Sequence, residues 1–194
     1  MDRATRWHLG LPQPRTTHPP TETLLFDPAV REHIVRGLHT PGRWSGGALY
    51  GTAVSGILHV RHVSPLHPPT PDIRDPLTIN LPYLVGVSQA VTSLMGENVQ
   101  WCGQWLSPPH HQLPVEDQDL IHLTHCAKRG LVDEWHPLIM IGYIAEHLAG
   151  RAYTWRNGTA RRIAPGLGPI PIPTPEDDLA DVQPLEMSAR PPNW

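Results

Sequence analysis

Phenylalanine occurs once in this chain and cysteine only twice. Cys102 and Cys126 form neither a CxxC pair nor a disulfide framework, so a reducing, cytoplasmic setting is expected. Long apolar runs are missing too: no stretch approaches the roughly 20 residues needed to span a bilayer. The opening MDRATRWHLGLPQP has no continuous apolar stretch of the kind a signal peptide carries. Positive charge is not in excess, with 15 Lys and Arg against 18 Asp and Glu and a formal net charge of -3. Without a strong positive field, neither nucleic acid nor membrane is expected as a partner. Arg151, Arg156, Arg161 and Arg162 do cluster, and they read as a solvated face.

What the chain has instead is 24 prolines, 13 histidines and 7 tryptophans in 194 residues. That length suits one sizeable core. Residues 1–21 combine repeated prolines with no sustained period and read as an N-terminal arm. Residues 165–194 hold eight prolines and the acidic patch Glu176, Asp177, Asp178, and read as a Pro-rich tail.

The stretch between them, 22–164, reads as one domain. ETLLF (22–26) suits a strand, and Asp27 followed by Pro28 opens a helix with Val30, Ile34 and Leu38 on one face. GGALYGTAVSGILHVRHV (46–63) reads as a glycine-rich hairpin, followed by a long Pro-rich connection over 64–76. A helix from Leu81 or Pro82 to Met95 should bury Leu84, Val87, Val91 and Leu94. NVQWCGQWL (98–106) is a strand, and Trp101 and Trp105, four apart, should share a face. Acidic residues 116–119 open a helix lined by Leu120, Leu123, Ala127 and Leu131. HPLIMIGYI (136–144) reads as a strand covered on both sides, and RAYTWRNGTARRI as a hairpin turning at Asn157-Gly158. The pattern β, α, β, β, α, β, α, β, β, β predicts an α/β (α+β) fold, a mixed sheet with flanking helices.

Three motifs in this order carry a resemblance. RWSGGALYG (43–51) contains Gly46, Gly47, Leu49 and Gly51 in the spacing E-x-G-G-x-L-x-G, but with Trp44 in the place of the glutamate. GQWLSPP (103–109) follows G-x-x-H-S-H-P through Gly103, Ser107 and Pro109. VEDQDL (115–120) then offers Asp119, with Asp117 close by, where S-x-x-D would end. Over residues 22–164 the chain resembles the JAB/MPN domain of the JAMM zinc isopeptidases, prokaryotic type. That resemblance implies an MPN/JAB-like mixed sheet with cytidine-deaminase-like layering. It also implies a site in which two histidines and an aspartate hold zinc, a glutamate acts as base on the zinc-bound water, and the serine stabilises the oxyanion. By the same correspondence the two histidines are replaced by Leu106 and Pro108, and the base by Trp44, whereas Ser107 and Asp119 are retained. The frame Trp44, Leu106, Ser107, Pro108, Asp119 is then a degenerate cleft with no catalytic set, no metal and no other cofactor expected.

Other chemistry was open to these residues. His110 and His111 could join Asp119 as ligands under a shifted register, although neighbours on an extended chain point to opposite sides. Asp119, His122 and Cys126 share a helical face with oxygen, nitrogen and sulfur donors suited to zinc; alternatively Asp119 serves the helix N-terminus. Ser107 or Cys102 beside a histidine could be a nucleophile, against a loop hydrogen bond for the serine and simple burial for the thiol. His33, His39, His59 and His62 have no chelating spacing. The expected function is a metal-free protein-binding or scaffold module. Its partner would be another MPN domain, a ubiquitin-like protein or a second copy. The alternative is an atypical zinc isopeptidase acting on ubiquitin-like or small-modifier conjugates. A third possibility is a structural protein tethered by its Pro-rich ends.

Overall fold

In a computed structural model the chain is described over residues 3–10, 19–38, 44–66, 77–96, 98–145 and 147–167. The expected elements appear in the expected order with one addition at the start: α1 (Arg3–His8), β1 (Thr23–Phe26), α2 (Pro28–Gly37), β2 (Ser45–Val54), β3 (Ile57–Ser64), α3 (Leu81–Met95), β4 (Gln100–Ser107), α4 (Glu116–Lys128), β5 (Leu138–Ile144), β6 (His147–Arg156) and β7 (Thr159–Ile163). The strands form one mixed seven-stranded sheet in the order β1-β3-β2-β4-β5-β6-β7. Pairing is antiparallel except for β1 with β3 and β4 with β5. The sheet curls far enough that Thr23 bridges Ala164 beyond the end of β7. The chain is thus α+β, with helices on both faces of a mixed sheet.

Local chemistry accounts for the elements. The β2–β3 and β6–β7 hairpins each turn on a left-handed pair, Ser55-Gly56 (φ 51° and 80°) and Asn157-Gly158 (φ 50° and 79°), the geometry that matches strand twist. Pro28 starts α2, and the Asn80 side chain caps α3 by accepting the Tyr83 N–H at 3.0 Å. Two glycines of the GGxLxG stretch, Gly47 and Gly51, serve strand packing. A Cβ on Gly47 would lie 2.1 Å from the Ser64 carbonyl oxygen, and one on Gly51 2.1 Å from that of His59.

Two apolar layers result. On one face α2 packs Val30, Ile34 and Leu38 against Leu24, Leu49, Val60, Trp105 and Ile139. On the other, α1, α3 and α4 cover Ala48, Tyr50, Trp101, Leu106, Met140 and Tyr153. Trp101, Tyr50 and Tyr153 are the largest fully buried side chains. Each is worth on the order of 4–6 kcal/mol of apolar burial at most, before entropy is charged against it.

Several expectations need correction. Trp101 and Trp105 lie on opposite faces, in different core layers. The cause is a β-bulge: Leu49 pairs with Gly103 but Tyr50 with Trp101, so Cys102 is extra and reverses the alternation. On α3, Leu94 is 85% exposed and Ser88 takes the buried position, its Oγ 3.3 Å from the Tyr50 hydroxyl. On α4 the buried face is Asp119, Leu123 and Cys126, and Leu120 faces out. The helix is rotated because its one buried carboxylate has partners on the sheet.

The N-terminal stretch is also not a bare arm, since α1 is packed. Arg3 and Ala4 are buried, and the Arg3 guanidinium donates to the carbonyls of Gly130 (3.2 Å) and Leu131 (3.1 Å). It stacks 4.5 Å from the centre of a Trp101 ring, which Trp7 also meets at 5.3 Å. Of the tail, residues 165–167 pack back on the domain, with Leu167 buried, and residues 168–194 lie outside the described residues, as do His39 and most of the 64–76 connection.

Candidate functional site

The residues singled out by the resemblance gather at one end of the sheet. Ser45 pairs with Ser107 and Gly46 with Leu106, so Trp44 leaves β2 beside the point where Pro108 leaves β4. Leu106 is buried in the core layer under the helices, where it pairs across to Met140. Trp44 packs edge-on against His122 of α4, ring centres 4.8 Å apart.

Asp119 decides what this frame can do. It is wholly buried, and both carboxylate oxygens are taken. Arg151 Nε donates to Oδ2 at 2.6 Å, a terminal guanidinium nitrogen donates to Oδ1 at 3.1 Å, and the Tyr153 hydroxyl donates to Oδ2 at 2.8 Å. The guanidinium also donates to the carbonyl of Pro114, which ties the loop before α4 to β6. Burial pulls the Arg151 pKa down, and the hydrogen bond and charge of Asp119 more than reverse that, leaving it raised. Burial, then the bond to Asp119 and the charges of Asp119 and Glu116, raise Tyr153, which therefore stays a donor. Arg162 pairs with Glu116 at 3.2 Å and Tyr153 reaches the same carboxylate at 3.2 Å, extending the network to the surface.

Of the three positions to which the resemblance assigns zinc ligands, Leu106 and Pro108 carry no donor side chain and Asp119 is saturated. This set does not fit a zinc ion. Among the described residues, no group of three or more His, Cys, Asp or Glu converges as ligands would. In the helix-face alternative the same carboxylate is already paired with Arg151; Asp119 does not cap α4, but it lies in its first turn, where a carboxylate meets the helix dipole favourably. Val115 occupies the cap position and makes no side-chain cap bond.

The remaining candidates are equally well accounted for. His110 is exposed, whereas His111 is half-buried in left-handed backbone (φ 55°) with Nδ1 3.5 Å from the Ser107 Oγ. Ser107 is fully buried, and its hydroxyl is turned to the loop at His111. The loop rejoins the sheet where Leu113 N–H donates to the Tyr143 carbonyl at 3.0 Å. Burial pushes the Cys102 thiol up to about 12, and its Sγ lies 3.3 Å from the Leu49 carbonyl. An inert protonated thiol is not a nucleophile. His59 pairs with Asp27 at 2.7 Å, a surface contact far from the frame in sequence.

Comparison with known proteins adds little. No protein-family model and no curated protein matches the chain. The solution structure of protein DSY2949 from Desulfitobacterium hafniense is similar at a TM-score of 0.49 and 12% identity, over 73% of this chain and 90% of that one.

Sequence reasoning missed the partners of Asp119. Arg151 was grouped with its exposed neighbours, yet it pairs internally, and Arg156 and Arg161 are likewise paired, with Glu134 (3.0 Å) and Glu22 (3.1 Å). One signal was present: Arg151 stands two residues from Tyr153, on the same side of a strand whose apolar residues face the core. A charge at such a position calls for a buried countercharge.

Proposed function

We propose that this chain is a catalytically degenerate JAB/MPN-like domain that binds a protein partner instead of hydrolysing an isopeptide bond. One observation carries the reading: the aspartate retained at the third ligand position is spent on an internal ion pair with Arg151. A cleft organised by a metal would hold that carboxylate for the cation. Here the guanidinium supplies the positive charge and the geometry, holding α4 to β6 without an ion. Trp44 against His122 and the packed Leu106 support the same reading, since both are apolar or aromatic packing at positions of chemistry.

Protein binding is supported by exposed apolar side chains at the start of α4 and along it, Val115 and Ile121, which are 68% and 69% exposed. The partner class is another MPN-type domain, a ubiquitin-like protein or a second copy of this chain. No helix among the described residues is long and apolar enough to cross a membrane.

The test is elemental analysis of the purified protein, followed by titration with ubiquitin-like and MPN-type partners and a measurement of oligomeric state. Less than about one-tenth zinc per chain is expected, with binding weakened by Ile121→Glu. About one zinc per chain, lost on Asp119→Ala, or isopeptide cleavage stopped by a chelator, would overturn the proposal.

A further inference from the structure

The seat of α1 turns on one carboxylate that two cationic side chains approach. The buried Arg3 guanidinium donates its hydrogen bonds to main-chain oxygens, the carbonyls of Gly130 and Leu131. A full countercharge comes from Asp133, whose Oδ2 lies 4.0 Å from the guanidinium, an ion-pair contact beyond hydrogen-bond distance. The Trp101 ring lies under the guanidinium and against Trp7, so the side chain that meets Asp133 also seats α1 on β4.

His136 competes for that carboxylate from the loop before β5. Its Nδ1 lies 2.7 and 2.8 Å from the two Asp133 oxygens, and the backbone N–H groups of Trp135 and His136 each donate to Oδ1 at 2.8 Å. Burial opposes the ionisation of Asp133, but the bond and charge of His136, the charge of Arg3 and the Trp135 N–H outweigh it and hold the pKa at about 2. An ionised carboxylate only accepts, so Nδ1 carries a hydrogen in both charge states of the ring and an added proton goes to Nε2. Burial first, then the Arg3 charge, hold His136 below its ordinary value against the pull of Asp133. The other ionisable side chains nearby give no relief. Glu134 pairs with Arg156 at 3.0 Å, and burial keeps the Cys102 thiol protonated, pushed up to about 12. A proton on His136 therefore sets two full positive charges against one carboxylate.

The two cations are not equally anchored. His136 precedes Pro137, whose carbonyl accepts the Gln104 N–H at 3.0 Å beside the β4–β5 pairing, so the imidazole cannot leave Asp133 without loosening the centre of the sheet. Arg3 rides on six residues of helix, a length that does not hold itself in water and depends on its contacts. The part that can yield is α1, and lifting it bares the Trp101 ring.

We propose that α1 is a proton-released latch: protonation of His136 claims Asp133, expels Arg3 and uncovers Trp101 in mildly acidic solution. The coupling is reciprocal, so Arg3 lowers the affinity of His136 for its proton by the same factor by which that proton weakens the docking of α1. The latch is independent of the protein-binding reading of α4 and stands or falls separately.

The experiment is an NMR titration of the full chain from about pH 8 to about pH 5, following the His136 ring, the amides of residues 3–10 and the Trp7 and Trp101 indole N–H signals. A neutral gadolinium chelate reports the exposure of the two indoles, and the amides of Ile139 and Ile141 report the fold. With acid, residues 3–10 and Trp101 should change with the midpoint of the His136 ring, below about 6.5, while Ile139 and Ile141 hold. His136→Asn keeps a donor for Asp133 and takes up no proton, so its α1 should stay docked across the range. Arg3→Met should raise the His136 midpoint by at least about half a unit, each unit of rise corresponding to about a tenfold weakening of docking by the proton. That midpoint is read whether or not α1 of the variant stays docked, so it tests the coupling even if His136→Asn does not fold. An α1 that stays docked to about pH 5 in the unmodified chain would overturn the latch. So would equal acid release in His136→Asn, a His136 midpoint unmoved by Arg3→Met, or loss of the Ile139 and Ile141 signals before α1 leaves.

Discussion

Replacing Arg151 with methionine should destabilise the fold far more than an ordinary surface substitution. The side chain is 12% exposed and its partner carboxylate 0%, so the change leaves the Asp119 charge buried with only the Tyr153 hydroxyl to meet it. Removing one partner of such a pair costs about 3–5 kcal/mol, because the residual charge is stranded in low dielectric. For a chain of this size that corresponds to a fall in Tm of roughly 6–20 °C. The assay is urea unfolding followed by tryptophan fluorescence, repeated for Asp119→Leu and for the double substitution. Because each single change strands the other group, the double variant should recover much of the loss, with a coupling energy of about 2–4 kcal/mol. Additivity within about 0.5 kcal/mol would mean the two groups do not depend on each other, and the account of the frame would fail. Zinc supplies the control. A carboxylate kept for a metal would make Asp119→Leu nearly neutral in the apo protein, and zinc would stabilise only the unsubstituted chain.

The other predictions address the rest of the fold. Arg3→Ala removes two carbonyl contacts and the stack on Trp101, and should cost about 3 kcal/mol with a red-shifted tryptophan emission; an unchanged melt would return residues 3–8 to the status of a loose arm. Gly166 has φ 61°, and a Cβ there would lie 1.5 Å from the Leu24 carbonyl oxygen, whereas Gly130 has φ 72° and open space. Gly130→Ala should therefore cost about 1–2 kcal/mol and Gly166→Ala clearly more, read by thermal unfolding; equal losses would refute the tight closure of the sheet at Ala164. Because burial and Arg3 depress the His136 pKa against Asp133, the unfolded chain takes up that proton near pH 6.5 and the native chain only below it. Its contribution to stability is full above that pH and fades as pH falls, at no more than about 1.4 kcal/mol per unit. His136→Asn should flatten the slope between pH 7 and 5, and an undiminished slope would assign it elsewhere. Leu94→Lys should change stability by less than about 0.5 kcal/mol, as an exposed residue would.

The order of elements was legible because it rests on local rules. Pro28 after Asp27, the Asn157-Gly158 turn, and the spacing of Val30, Ile34 and Leu38 each act within a few residues. The failures have a common physical origin in contacts between residues far apart in the chain. Nothing near Trp101 and Trp105 announces that Cys102 bulges, because the bulge is defined by which residues of β2 face β4. Nothing within residues 116–128 announces that α4 turns Asp119 inward, because Arg151 and Tyr153 lie more than thirty residues away. The candidate site follows the same division. Its motif glycines were readable and turn out to serve close strand approach, which any sheet of this curvature needs whatever chemistry it carries. Its one buried acidic residue, Asp119, was readable as well, but its meaning was not, since a carboxylate awaiting a cation and one already holding a guanidinium are the same letter. A strand arginine on the layer facing a helical aspartate therefore says more about whether that carboxylate is open to a cation than the aspartate does. In this chain that residue is Arg151, whose guanidinium already holds the buried Asp119 carboxylate at 2.6 Å.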